Sequence, residues 1–171
     1  MTVTCRRWEQ RDLSTIRDIL WKTWLDAYAF IPEADLKSYL EKTYDDASMK
    51  KLYADPAVNG FVAEADGLVA GFVRTKFSKD EQRHYVSSLY ILPEFQSKGI
   101  GRRLMIMAAD EAVSHGLDRV WLGVMVENRS AVEWYKGMGF QVAEEEPFTL
   151  GSAKVNHYIG FVPVQSIRKG K

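Results

Sequence analysis

The segment that most constrains the fold runs from Tyr85 to Gly116. Tyr85 to Leu92 is rich in β-branched and aromatic residues and reads as a strand ending at Pro93. Gln96-Ser97-Lys98-Gly99-Ile100-Gly101-Arg102 follows, and then a helical pattern from Arg102 to His115. Leu104, Ala108 and Ala112 form one row at helical spacing, with Met105, Ala109 and Val113 beside it. Arg103, Asp110, Glu111 and Ser114 fall on the opposite face, and Gly116 is a natural stop. A strand feeding a helix through a glycine turn exposes unpaired N–H groups and a partial positive charge, which suits a diphosphate. Gly99 and Gly101 let backbone approach such a group without an intervening Cβ, and Lys98 and Arg102 add charge. A Walker loop requires Gly-Lys-Ser/Thr, whereas Gly99 is followed by Ile100. A dinucleotide fingerprint places its third glycine where Leu104 stands and normally follows the first strand. A capped turn that binds nothing is the remaining alternative.

The rest of the chain arranges itself around this unit. Met1 to Trp8 reads as a short strand, and Asp12 opens a helix with Ile16, Ile19, Leu20, Trp24 and Tyr28 on one face. Pro32 breaks it. A second helix fits Glu33 to Glu41 with Leu36 and Leu40 inward, and a third fits Ser48 to Tyr53. Two strand patterns flank Asp66-Gly67, a hairpin signal. Arg119 to Val126 is a strand, Asn128 to Met138 a helix closed by Gly139, and Phe140 to Glu146 with Lys154 to Val164 a final antiparallel pair. The tail from Ser166 to Lys171 is expected to fray. The fold class is α/β: a single mixed, mostly antiparallel sheet of six to seven strands, with a parallel crossover at its centre and flanking helices. With no repeat or linker, residues 1–171 are expected to form one domain.

Composition narrows the function. Lysine plus arginine equals aspartate plus glutamate at 23 each, which argues against nucleic acid as a partner. One cysteine, Cys5, forms no intrachain disulfide, and the three histidines are far apart, so no metal site is expected. No apolar run approaches the ~20 residues that cross a bilayer. The first residues lack the apolar core of a signal peptide, so no membrane role and a cytoplasmic location are expected.

Leu89-Tyr90-Ile91-Leu92-Pro93-Glu94-Phe95-Gln96-Ser97-Lys98-Gly99-Ile100-Gly101 resembles motif A of the GNAT acetyltransferases. The family's second signature resembles Trp121-Leu122-Gly123-Val124, then Asn128, Ala131, Tyr135 and Gly139-Phe140, in the family's order. The resemblance implies acetyl-CoA as co-substrate, with no metal. Leu89, Tyr90 and Ile91 would hold the pantetheine arm, Gln96 to Arg102 the pyrophosphate, and Asn128 and Ala131 would approach from the neighbouring strand. Tyr135 would act as the general acid on the departing thiolate. A thiol pKa of about 8.5 makes that help modest. An acceptor amine with pKa about 10.4 costs roughly 4 kcal/mol to deprotonate near neutrality, so a base or water chain is expected. Many members carry a glutamate on the strand before motif A or where Gly123 stands. Here Ser87, Ser88 or His84 would have to serve.

On the acceptor side, Trp24, Asp26 and Tyr28 lie where the family walls its second cleft. The Trp121–Val124 and Tyr135–Phe140 segments look most like polyamine acetyltransferases of the PaiA kind, implying a small amine with Asp26, Glu33 or Asp35 attracting its cations. The competing readings are acetylation of a protein N-terminus or lysine, and a non-catalytic acyl-CoA-binding module. A homodimer through the C-terminal strands is compatible with the family.

Overall fold

A computed structural model describes residues 1–169. Its strands are β1 (Val3–Arg7), β2 (Val58–Ala65), β3 (Leu68–Ser78), β4 (Arg83–Ile91), β5 (Arg119–Met125), β6 (Gln141–Leu150) and β7 (Ala153–Pro163). The helices are α1 (Leu13–Ala27), α2 (Glu33–Thr43), α3 (Asp46–Ala54), α4 (Ile100–Ser114), α5 (Arg129–Gly137) and α6 (Val164–Arg168). All the strands join one sheet in the order β1-β2-β3-β4-β5-β7-β6. Every pairing is antiparallel except β4 with β5, the parallel step that the α4 crossover connects.

That parallel step positions the site. β4 and β5 pair only at Tyr85 with Trp121 and Val86 with Leu122, and then diverge. On its other side β4 stays paired with β3 as far as Ile91 opposite Gly71. A register shift opposite Arg74 and Thr75 leaves Ser87 unmatched, a β-bulge next to the point of divergence. The backbone edge of β4 from Ser87 to Ile91 therefore faces an opening rather than a strand.

The two faces of the sheet bury different chemistry. α4 lays Leu104, Met105, Ala108, Ala109 and Ala112 against Val73, Val86, Val120 and Leu122. Val113 departs from the expected row and stays 44% exposed, at the helix's outer edge. Residues of α1, α2 and α3 pack Ile16, Leu20, Trp24, Leu36 and Met49 on the other face, against Val62 and Phe72. An Arg6 fork ties β1 to both layers, at 2.7 and 2.9 Å from Asp12 and 2.7 Å from Glu64. Burial raises the Asp12 carboxyl, but the hydrogen bonds from Arg6 and from the Glu9 N–H win and hold it below its ordinary value.

Two boundaries differ from expectation. β6 continues through Pro147 to Leu150, because a proline is tolerated on an edge strand whose other side pairs with nothing. Glu144, Glu145 and Glu146 on this exposed edge, with Pro147, disfavour continuing the sheet into a second copy. The tail does not fray at Ser166: α6 buries Val164 and Ile167, and Arg168 reaches Asp110 at 2.5 Å. Its last two residues, 170 and 171, lie outside the described residues. Among the described residues no helix is long and apolar enough to cross a membrane.

Candidate active site

A cleft of about 1070 Å³ runs through the β4–β5 opening. At one end is the glycine turn. Ser97 and Gly99 both hold left-handed backbone, at φ 59° and 78°, and Gly99 is the N-cap of α4. A Cβ on Gly99 would point into open space, so the α4 N–H groups face the cleft unobstructed. Gly101 has a different reason for its small size: a Cβ there would lie 3.1 Å from the Trp134 ring, which lines the cleft beside it.

The basic side chains of this turn serve its architecture. Lys98 donates to the Glu94 carbonyl at 2.7 Å and does not line the cleft. Arg102 donates to the Ile167 carbonyl and so clamps α6 to α4. Gln96 closes the loop by donating to the Ile91 carbonyl at 3.0 Å. The anion-binding capacity of the turn thus resides chiefly in backbone dipoles. Leu89, Tyr90, Ile91, Gln96, Ser97, Gly99, Ile100, Gly101 and Arg102 all border the cleft. Ile100 does so through backbone, its side chain being buried in the core.

Across the opening, Asn128 caps α5: its Oδ1 accepts from the Ala131 N–H at 3.4 Å and from Ser130 at 3.3 Å. The cap uses the oxygen, and the amide N–H₂ has no hydrogen-bond partner among the described residues. Both Asn128 and Ala131 line the cleft. Tyr135, two turns along α5, lines the same cleft and is buried, with Trp134 packed against it, ring centroids 5.0 Å apart. Burial pushes its hydroxyl well above the ordinary tyrosine value, and Tyr90 adds to the shift. Tyr90 and Tyr28 share a 2.9 Å hydrogen bond. Burial raises Tyr28 to about 12, against the lowering effect of that bond. Three tyrosine hydroxyls therefore keep their protons through the neutral range.

Away from the glycine turn the cleft opens into an aromatic chamber. Trp24 contacts Tyr28, Tyr39, Tyr44 and Tyr90, with ring centroids 5.7–6.4 Å apart. Phe148 closes the side opposite, edge-on to Tyr39. Asp26 stands exposed at the rim. Of the other carboxylates expected to attract cations, Asp35 is held by Ser152 at 2.5 Å and Glu33 borders a separate hollow at the α1–α2 turn. Neither lines the cleft.

Ser87 and Ser88 reach the cleft, but His84 does not. It is buried on the α4 face beside His115, at 5.7 Å between rings, with neither nitrogen hydrogen-bonded. Burial and then His115 lower it to about 4. The expectation that His84 could serve as the base fails because α4 covers the start of β4. Instead His157 of β7, opposite Met125, borders the cleft and packs on Phe148 at 4.6 Å. Burial lowers its pKa, partly offset by Glu127, so it is neutral at pH 7. No motif marks His157; its place opposite the end of β5 comes from pairing alone. Arg74 on β3 also enters the chamber, donating to the Tyr44 hydroxyl at 3.3 Å.

Residues 13–140 match the acetyltransferase (GNAT) family, and the chain belongs to that family. Over 76 residues it is 41% identical to the streptothricin acetyltransferase of Streptomyces lavendulae, a match covering 44% of this chain and 40% of that protein. The chain thus spans less than half the length of that relative. Among solved structures, the PaiA N-acetyltransferase of Thermoplasma acidophilum in complex with coenzyme A superposes with a TM-score of 0.77 at 23% identity, covering 92% of this chain and 99% of that one. The spermidine N-acetyltransferase of Vibrio cholerae in complex with CoA and spermine gives 0.73 at 23% identity, covering 98% of each chain. At that identity both likenesses establish the fold.

Proposed function

We propose that the protein transfers the acetyl group of acetyl-CoA to the primary amine of a small molecule, by direct attack within a ternary complex. The observation that carries this reading is the β4–β5 opening, with the α4 N-terminus, Tyr135 and the aromatic chamber all lining one cleft. Acetyl-CoA supplies the activated acyl carbon. The α4 N–H groups would hold its diphosphate, and the β4 backbone edge with the Asn128 amide would hold its arm. The bulge at Ser87 leaves backbone N–H free near the point of divergence, where a developing oxyanion would be stabilised.

Proton traffic follows from the environments of the side chains. The ammonium of the acceptor must lose a proton before attack, and the water-accessible Ser87 offers a route to solvent. After attack the adduct nitrogen becomes strongly acidic, and neutral His157, which borders the cleft, would accept its second proton. Tyr135, protonated through the neutral range, donates toward the departing sulfur. The Asp35–Ser152 bond fastens α2 to the β6–β7 turn, and Phe148 of β6 meets Tyr39 of α2 edge-on at the cleft. Aromatic walls drawn from two such elements favour a small acceptor over a protein chain. The polyamine reading keeps only Asp26 of its expected carboxylates.

The test is acetyl-CoA-dependent thiol release with amines, amino acids, polyamines and peptides as acceptors, with the products identified by mass. Acceptor-dependent CoA release with one N-acetylated product is expected. Tight acetyl-CoA binding without release in the presence of any acceptor would instead identify a binding module.

A further inference from the structure

Arg74 differs from the other guanidinium groups of the sheet in its Nε. Arg6 lies between Asp12 and Glu64, and Arg83, which also has no ion pair among the described residues, covers the Trp121 ring and reaches the Tyr85 hydroxyl. Arg74 is only half-exposed, yet among the described residues it makes no ion pair. Its Nε is buried without a hydrogen-bond partner, one NH₂ touches the Tyr44 hydroxyl, and the guanidinium lies 5.5 Å from the Tyr44 ring centre. Arginine does not escape such a setting by losing its proton. Removing a guanidinium from water without an anion is unfavourable, and a cation–π contact returns only part of that. The side chain is therefore held with donors to spare.

Its position says what those donors would meet. Arg74 pairs with Ser88 on β4, next to the Ser87 bulge where β4 and β5 part. The backbone of Arg74 is one strand spacing, ~4.8 Å, from the β4 strand along which the acetyl group would run, and its guanidinium stands off the sheet beside Tyr44 in the same cleft. The remaining charge in the chamber is placed elsewhere, with Asp26 at the rim and Glu127 beside His157 across the opening. The acceptor side is thus bipolar, and a polycation filling it would set positive charge against Arg74 where aromatic walls weaken screening.

We infer that the acceptor is a zwitterion, an amine with a carboxylate a few bonds away, and that Arg74 binds the carboxylate through its guanidinium fork. This rests on the amine-acetylation reading above. The planar fork matches two carboxylate oxygens, and a lone arginine suits one negative charge better than a phosphate dianion. Trp24 and Tyr39 form an apolar wall for the rest of the molecule, so amino acids with aromatic or aliphatic side chains are the expected class.

The experiment compares L-amino acids with their decarboxylated amines, phenylalanine against phenethylamine for example, with spermidine as the polycation. In the wild-type protein the best carboxylate-bearing acceptor should exceed its amine counterpart in kcat/KM by about tenfold or more, chiefly through KM. In Arg74→Gln that ratio should fall to near one, and Arg74→Lys should recover part of it. Calorimetric binding of the matching N-acetylamino acid to the CoA-loaded protein gives a readout independent of turnover, and it should weaken at least tenfold in Arg74→Gln. Acetyl-CoA affinity measured alongside establishes that the variant is folded. A wild-type preference for the decarboxylated amine or for spermidine overturns the inference, as does a ratio that Arg74→Gln leaves unchanged. Arg74-dependent binding of the N-acetylamino acid without any CoA release would uphold the anion site and sink acetyl transfer. Absence of both binding and preference would sink the anion site.

Discussion

The two faces of the sheet differ in kind. On the α4 face the core is aliphatic and small-residue, with Leu104, Met105, Ala108, Ala109 and Ala112 all without solvent exposure, and it ends in a rigid helix terminus. On the α1–α3 face the packing around the site is aromatic, with Trp24 at the centre of four tyrosines, and it encloses space. A cofactor shared by a whole family needs the same backbone cradle each time, which one strand-turn-helix supplies locally. An acceptor is selected by shape and charge, which require side chains from α1, α2, β3, β4, β6 and β7 to converge. The glycine-turn end of the cleft is therefore a local property of the chain, and the aromatic end a property of the assembled fold.

That division breaks most visibly if the cradle is filled. Gly101→Asp places a side chain against the Trp134 ring and a carboxylate at the α4 N-terminus. The acetyl-CoA dissociation constant, read by calorimetry, should rise at least ~100-fold, about 2.7 kcal/mol. Affinity within a factor of three of wild type would show that the diphosphate lies elsewhere.

The two halves meet at Tyr135, and Tyr135→Phe should lower kcat by roughly 10- to 100-fold while leaving acetyl-CoA affinity unchanged. Because burial raises this tyrosine above its ordinary value, its protonated, active form persists beyond pH 10. The wild-type rate should therefore rise with amine deprotonation and show no fall below pH 10. A fall centred well below that pH would give the acid role to another group. On the acceptor half, His157→Gln should lower kcat by about tenfold with donor binding intact, and an unchanged kcat would remove His157 from the proton path.

The smallest effect on turnover is expected at His84, which belongs to the α4 face. Its folded pKa of about 4 lies below the unfolded value near 6.5, so the unfolded chain binds more protons between those limits. The stability associated with neutral His84 is complete above pH 6.5 and is lost as the pH falls toward 4. Denaturant titrations should show wild type losing about 2 kcal/mol more than His84→Leu across that window. Parallel losses in the two proteins would contradict this reading of the buried histidine.

Legibility followed the same division. The turn, the α4 rows and the Asn128–Tyr135 spacing are short-range patterns; the structure buries the rows, save Val113, in the core and brings the turn, apart from Lys98, to one cleft with Asn128 and Tyr135. Trp134 went unread because its partner, Gly101, is close only in space. Arg74 reads in the sequence as a charge ending an apolar run. Only the β3–β4 register and the C-terminal cap of α2 at Tyr44 bring it into the chamber. His84 is kept from the cleft and His157 brought to it for a similar reason, since which strand face a helix covers is decided by topology rather than by neighbouring residues.

The most direct test of the account is a crystal structure of the protein with CoA bound. The predicted result is a diphosphate against the backbone N–H groups from Gly99 to Arg102. The pantetheine arm should run along the β4 edge toward Tyr135, with its sulfur at the mouth of the aromatic chamber. A diphosphate bound away from the α4 N-terminus, or an arm that does not enter the β4–β5 opening, would contradict it.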